Sequence, residues 1–541
     1  VTLIRSNIIF LGLVTLMTAF YGLFDTMNRG PYSAHQWRQA DCLSITQHYY
    51  QENLPFLEPE VHWRVGSNNT GKTISEFPLI YYSVGKLWQV FGKKYWIYRI
   101  LNFLIVLLGL YYLKRLVKAI LGSDFWSIFI PLFLFTSPIL VYYSNNFLMN
   151  SSALGIALIA SYHHYQFLIK SSYKHLVFAS ILFLVAGLLK ITALLLFFGF
   201  GAILLYQIIW VDKAFKSRWK VLLPYLVTLI GIVGWYRFAG NYNANNVQIF
   251  LQGLLPIWEL NSSQVAETWS LFHNYIFPEF FSIPVLFLLL LIFVYLIFYS
   301  RQLHKYYRAL LMLVALGVLS YFLLFYQVFS GHDYYLLNSL IVVPLIVIVG
   351  LHYLKAHYPN LFSGKALKLF ALLIFISSTY YCRIHTIIKY DVGSNWVRTS
   401  MHTTVENKEN WQLYHWKYKR TFYDLETIEP YLNSIGITRD DQVISMPDSS
   451  INITLYLMNR RGWTDYGLGE LDGAQRIEKA RESGVKYLVV NDSDLLKESF
   501  IEPYIDQKIG QYGSIAIYNI EKPSLLQQTT NVMNKRVYAG R

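Results

Sequence analysis

Cysteine is almost missing from this chain: Cys42 and Cys382 are the only two in 541 residues. They supply neither a disulfide framework nor a metal-ligand spacing, and the sequence leaves open whether they meet. Charge is scarce too, at 14% of residues, while 54% are hydrophobic and 17% aromatic. With a mean hydropathy of +0.33, that balance excludes an ordinary soluble enzyme and points to a multi-span membrane protein with a soluble part. The net charge of +14 forms no basic stripe. The basic residues lie in short groups at the ends of apolar runs, which excludes a nucleic-acid face. No clear small-residue cleavage site follows the run 8–24, so that run, headed by Arg5, is expected to be retained as a first span.

Apolar stretches near 7–24, 96–113, 125–143, 147–168, 175–189, 191–210, 221–238, 283–299, 308–326, 336–353 and 367–382 predict about eleven spans. Arg5, the group Lys114, Arg115 and Lys118, then Lys170 and Lys174, then the groups around Lys216, Lys305 and Lys365 fall in alternate loops. Basic loops stay on the cytoplasmic side, which sets the N-terminus inside. Lys93 and Lys94 oppose this, but they end a long loop, where the charge rule is weaker. An odd span count then leaves the loops 25–95, 144–147, 239–282 and 327–335, the turn near Lys190 and everything after Cys382 outside. The expected fold class is a polytopic α-helical membrane protein, with a transmembrane domain at 1–382 and a soluble extracytoplasmic α/β domain at 383–541. The expected location is the inner or plasma membrane.

In the second of these domains, Val443-Ile444-Ser445, Tyr487-Leu488-Val489-Val490 and Ser514 to Tyr518 read as strands and Ala474 to Glu482 as an amphipathic helix. Pro447-Asp448-Ser449-Ser450 reads as a helix start, Asn459-Arg460-Arg461-Gly462-Trp463 as a helix end with Gly462 as its cap, and Asn491 to Asp494 as a turn.

Polar residues concentrate between His35 and Leu79. Cys42 to Asn53 has a helical pattern, with Leu43, Ile45 and Tyr49 or Tyr50 placed to lie along a membrane surface. Asp41 falls at or near its start, where an N-cap is the plain explanation and a reactive carboxylate the sharper one. A Gly/Asn turn cluster, Gly66 to Gly71, precedes Ser75-Glu76-Phe77-Pro78-Leu79, whose proline can begin a second helix.

The arrangement His35-x-Trp37-Arg38-Gln39-Ala40-Asp41, the element Glu76-Phe77-Pro78-Leu79 with Tyr81-Tyr82, and a span beginning around Arg99 together resemble bacterial relatives of protein O-mannosyltransferases and aminoarabinose (lipid A) transferases. These are polytopic glycosyltransferases of the GT-C fold. The resemblance covers the membrane half better than the C-terminal domain. It implies that Asp41 is the catalytic carboxylate and that the sugar donor is a polyprenyl-phosphate lipid. Relatives commonly carry an acidic residue near the position of Asn150, which an amide cannot replace as a base; Glu76 is then the candidate second carboxylate.

Lys190, alone between two apolar runs, is costly unless it reaches water, a lipid phosphate or a paired anion. Phosphate binding and snorkelling are its two readings, and the resemblance favours the first. Gly331-His332-Asp333-Tyr334-Tyr335 precedes a span on the same side. Its tyrosines suit an aromatic belt, its His332 and Asp333 do not, and relatives carry a similar element.

The expected reaction is transfer of a sugar from a polyprenyl-phosphate donor to a protein, lipid or glycan acceptor at the external face, with inversion. Asp41 is the expected base, and His35, Arg38, Glu76, Arg99, Lys190, His332, Asp333 and Tyr334 are the expected substrate-binding residues. No cofactor or metal is expected, although Asp41, Glu76 and Asp333 carry the oxygen ligands a divalent cation takes. The partners expected are the lipid donor, the acceptor and membrane lipids, without nucleic acid. A lipid-linked glycan flippase and a non-catalytic envelope-assembly scaffold are the rivals. A flippase needs mid-span charge along a pathway, and the chain has little.

Overall fold

The computed structural model describes residues 2–64, 70–213, 215–250, 253–390, 403–469 and 471–521. Gly66 to Asn69 of the expected turn cluster lie outside them. By contacts the chain divides into two compact units, each assembled from three pieces of sequence. The first comprises Val1–Gly30, Lys93–Gly240 and Gln252–Lys408, the second Pro31–Gly92, Asn241–Leu251 and Glu409–Arg541.

The first unit is helical. All the apolar stretches expected from sequence coincide with helix, but not all are spans by length and composition. Among the described residues six helices are long and apolar enough to cross a membrane: Tyr95–Leu121, Ile191–Val211, Trp219–Asn245, Lys305–Leu324, Asp333–His357 and Lys365–Lys389. Two bent pairs raise the number to eight if each is one span: Asp124–Leu134 with Pro138–Ser144, broken by 76°, and Ser262–Glu279 with Ile283–Phe298, broken by 94°. Ile4–Phe20 and Tyr173–Leu189 are apolar but shorter. The structure therefore supports six to eight spans by these criteria where the sequence suggested about eleven. Pro138 explains the first break, because it begins a new helix and cannot donate to the old one. Tyr95–Leu121 and the helix Asn150–Lys170 approach backbone to backbone at Gly109 and Gly155. A Cβ on Gly109 would stand 2.5 Å from Gly155 Cα, the close approach that small residues permit between apolar helices.

The second unit contains a five-stranded sheet of β1 (Gln442–Met446), β2 (Arg461–Trp463), β3 (Tyr487–Val490), β4 (Lys508–Tyr512) and β5 (Ile515–Asn519), in the order β2-β1-β3-β5-β4. β1 runs parallel to β2 and β3, and β5 is antiparallel to β3 and β4. Ile444, Leu488 and Val490 pack with Ile477 and Ala480 of the helix Gly473–Glu482. That helix starts at a capping box between Asp472 and Gln475, which satisfies two otherwise unpaired donors.

The expected helix end at Asn459 to Trp463 is divided between a cap and a strand. Asn459 itself takes the left-handed cap position at φ 52°, which an amide side chain tolerates. Gly462 lies in β2 opposite Val443, where a Cβ would collide with the Val443 carbonyl oxygen.

The first long loop joins this unit. Trp63 bridges Gly462 in parallel, with Arg64 N–H donating to Gly462 O at 2.8 Å and Gly462 N–H to His62 O at 3.1 Å. Two helices of the loop, Gln36–Glu52 and Leu79–Phe91, pack on each other, and the first also packs on the helix Ile453–Met458. Leu43, Ile45 and Tyr49 are therefore buried rather than laid along a membrane surface as expected. The helix is covered on more than one side, so its apolar residues need not share one face.

Candidate functional site

The loop helix begins earlier than its pattern suggested, and this changes what Asp41 can be. His35, at φ 52°, turns the chain into a helix running from Gln36 to Glu52. Gln39 fastens that entry by donating to Tyr32 O and Ala34 O, each at 2.8 Å. Asp41 thus lies in the second helical turn, where the helix N–H groups are already used, and the capping explanation does not apply.

Arg38, three residues earlier, shares its helix face. The Arg38 Nη2 donates to both oxygens of Glu76 at 2.6 Å, and its guanidinium lies 4.8 Å from the Phe250 ring centroid. Glu76 also accepts from Ser75 Oγ at 2.5 Å and Tyr81 OH at 2.6 Å. It is a fully engaged acceptor whose charge holds Arg38 in place.

Asp41 is held differently. It is 0% exposed, and its Oδ1 accepts from Asn452 Nδ2 at 2.9 Å. Its Oδ2 faces Arg38 Nη1 at 3.6 Å, beyond hydrogen-bond reach, and neither atom has a hydrogen-bond partner among the described residues. Burial pushes the Asp41 carboxyl up to about 6, against the Arg38 charge and the Asn452 hydrogen bond that favour ionisation; the nearby Glu76 charge adds to the rise. Burial would lower the Arg38 guanidinium, but the surrounding groups, Glu76 foremost with Cys42, Tyr81 and Asp41, together outweigh it and keep Arg38 protonated. A carboxylate with one oxygen that accepts no hydrogen bond among the described residues, and a pKa near neutrality, has properties of a general base.

In the first unit, four of the expected residues and two tyrosines converge. Asp333 accepts from Tyr143 OH at 2.5 Å, and Asn150 Nδ2 donates to Tyr334 O at 2.8 Å. The His332 ring lies 5.7 and 5.9 Å from those of Tyr334 and Tyr335. Lys190 Nζ sits 5.9 Å from the centroid of Tyr335, at the C-terminal end of the helix Tyr173–Leu189. Lys190 and His332 thus both lie near the Tyr335 ring, with the Asp333 carboxylate next to His332 in the chain.

Arg99 has another use. Fully buried, it donates to Arg29 O at 3.0 Å, Gly30 O at 3.2 Å and Asn145 O, and stacks 4.2 Å from Phe147. Backbone carbonyls occupy it. His35, at the head of the loop helix, lies edge-on to Trp37 at 6.4 Å between ring centroids.

Sequence reasoning missed three features. Asn452 carries no local signal pointing to Asp41. Tyr143, at the end of an apolar stretch where an external turn begins, gives no local sign of its bond to Asp333. Glu279, in the loop 239–282, gives no local sign of its pairing with Lys389 Nζ at 2.5 Å and His385 Nδ1 at 3.0 Å. One group among the described residues has metal-holding geometry: His48, Glu52 and Glu60, with ligand atoms within 4.8 Å of one another. Arg461 and Arg439 already pair with Glu52, and Arg64 with Glu60, so arginines supply the positive charge there.

No protein-family model matches the sequence, and no curated protein matches it. Among solved structures, ArnT from Cupriavidus metallidurans in the apo state is similar at TM-score 0.54 and 11% identity, over 96% of this chain and 98% of that one. ArnT bound to undecaprenyl phosphate is similar at TM-score 0.55 and 12% identity, over 94% and 98%. The chain has the GT-C fold. An archaeal oligosaccharyltransferase, AglB from Archaeoglobus fulgidus in complex with an inhibitory peptide and a dolichol-phosphate, is similar over 88% of this chain and 69% of that one, at 12% identity and TM-score 0.46. On this GT-C scaffold, Asp41 lies in the long loop after the first apolar helix, and His332 and Asp333 lie at the head of a membrane-long helix.

Proposed function

We propose that this chain is a membrane glycosyltransferase that moves a sugar from a polyprenyl-phosphate donor to a hydroxyl-bearing acceptor at the external face of the membrane. The observation that carries the reading is Asp41, buried with one oxygen held by Asn452, the other facing Arg38 without a hydrogen-bond partner among the described residues, and a pKa pushed up to about 6. Such a group is ionised at neutral pH and takes a proton readily. The GT-C fold supports the donor class, since one neighbour of that fold, ArnT, is bound to undecaprenyl phosphate.

In this reading the acceptor oxygen attacks the anomeric carbon as its proton passes to Asp41 Oδ2. The bond from that carbon to the phosphate oxygen breaks on the opposite face, its electron pair leaving with the phosphate, so configuration inverts. Lys190 and His332 stabilise the charge growing on the departing phosphate, while Asp333 and Tyr334 orient the donor. Arg38 steadies the Asp41 carboxylate, Glu76 fixes Arg38, and His35 lies at the entry to the helix that carries both. Arg99 acts on the backbone of residues 29, 30 and 145. The N-terminus is cytoplasmic and the C-terminal domain external.

Mass spectrometry of envelope glycans and glycoproteins from cells with and without the protein tests this. The expected result is loss of one sugar from one class of acceptor and build-up of the lipid-linked donor. Unchanged glycans and donor levels contradict it.

A further inference from the structure

Asn452 follows β1 and stands at the N-cap of the helix Ile453–Met458, a position where asparagine ordinarily caps its own helix. Here it does not. Ser450 Oγ does that work instead, accepting from Ile453 N–H at 2.9 Å. The Asn452 side chain is turned into the first loop, where its Oδ1 accepts from Trp63 N–H at 3.1 Å and its Nδ2 donates to Asp41 Oδ1 at 2.9 Å. Asn452 and Asp41 are both 0% exposed. A backbone N–H can only donate, so Trp63 fixes which end of the amide faces it. The NH2 is then committed to Asp41.

We propose that Asn452 is the positioning residue for Asp41: it anchors Oδ1 through a hydrogen bond made best to the ionised carboxylate, and so leaves Oδ2 as the oxygen that receives the acceptor's proton. This rests on the reading of Asp41 as the base. It gives the C-terminal sheet domain a part in the chemistry, because the anchor is rigid only while β1 and the helix after it are folded.

Other groups act on Asp41 from each neighbouring segment: Arg38 and Cys42 on its own helix, Glu76 from the stretch before Leu79–Phe91, and Tyr466 from the segment after β2, while Tyr81 inside Leu79–Phe91 acts on Arg38. Of all these, Asn452 alone makes a hydrogen bond to the carboxylate among the described residues. Losing a hydrogen bond to a charged form disfavours that form. Asn452 therefore holds the Asp41 pKa below where burial would otherwise leave it.

Asn452→Asp keeps an oxygen for Trp63 N–H and replaces the amide donor toward Asp41 with a second carboxyl, whose charge adds to the rise; Asn452→Ala removes both amide ends without adding charge and so reads the loss of the hydrogen bonds. The full-length protein in detergent is titrated by infrared spectroscopy, following the protonated-carboxyl band that disappears on adding Asp41→Asn. The expected result is a midpoint raised by about one pH unit or more in both variants, with the acid limb of sugar transfer moving by the same amount. A midpoint unchanged in Asn452→Ala, with circular dichroism matching the parent, overturns the proposal; should Asn452→Ala misfold, Asn452→Asp decides by the same criterion. Misfolding of both also overturns it, since Asn452 is then a structural residue. If Asp41→Asn retains full transfer, the reading of the base falls separately, while the infrared midpoints still measure the hold of Asn452.

Discussion

Two buried carboxylates in this protein meet opposite fates. Glu279 is engaged on both oxygens, by Lys389 at 2.5 Å and His385 at 3.0 Å. Asp41 has one neutral amide at 2.9 Å and a guanidinium that stops at 3.6 Å. Burying a charge is expensive unless partners complete it. The first arrangement meets that requirement and ties the helix Lys365–Lys389 to the end of Ser262–Glu279. The second leaves it partly unmet, and an unmet requirement of this kind is a mark of a working group rather than a structural one.

The largest expected effect is on the satisfied pair. Lys389→Met strands Glu279 with His385 and should destabilise the protein by about 3–5 kcal/mol, read as a lowered thermal midpoint in detergent, with Glu279→Gln added as a second change restoring part of the loss. A neutral Lys389→Met would erase the contrast.

Asp41→Asn should act in the opposite direction. The Asp41 carboxyl sits at about 6 in the fold against an ordinary 3.8, so the folded state binds the proton more tightly than the unfolded one. Its contribution to stability is then present below about pH 4 and lost as pH rises through about 6. The amide carries no such pH dependence. Asp41→Asn should therefore match the parent near pH 4 and exceed it by up to about 3 kcal/mol near pH 7, a gain in stability bought with function. Denaturation followed at both pH values checks it, and a variant less stable at pH 7 would mean that Asp41 is a structural partner.

Tyr143→Phe is a smaller perturbation. It removes one donor from Asp333, whose contact is 2.5 Å, and should cost about 1–3 kcal/mol of stability, measured by the same unfolding assay. An effect as large as that of Lys389→Met would place Asp333 with Glu279, among the carboxylates that hold the fold.

The parts of this architecture legible in sequence are those encoded over short distances. Val443-Ile444 with Ser445, and Tyr487 to Val490, are short, mostly apolar runs, and both lie in strands. The Trp37-Arg38-Gln39-Ala40-Asp41 segment is one helical turn and a half, so Arg38 and Asp41 were bound to share a face. Where the helix began was less visible, because its start is made by His35 at positive φ and by Gln39 reaching back, neither of which is a common cap signal. The six described helices long and apolar enough to cross a membrane follow from long apolar runs, whereas Tyr173–Leu189 is apolar without the length. Contacts between distant segments left no local trace. Arg38 to Glu76 spans 38 positions, and Asp41 to Asn452 spans 411. Asn452 was hidden further by chemistry, since asparagine before a helix has the bland explanation of a cap and here declines it.

The central claim is that Asp41 Oδ2, the oxygen not held by Asn452, takes the acceptor's proton. It is tested most directly by expressing Asp41→Asn, at the parental level in membranes, in cells lacking the native protein, and quantifying glycan transfer by mass spectrometry. Transfer should fall by about 10²–10⁴-fold while the lipid-linked donor accumulates. Parental transfer from a normally folded Asp41→Asn protein would contradict it.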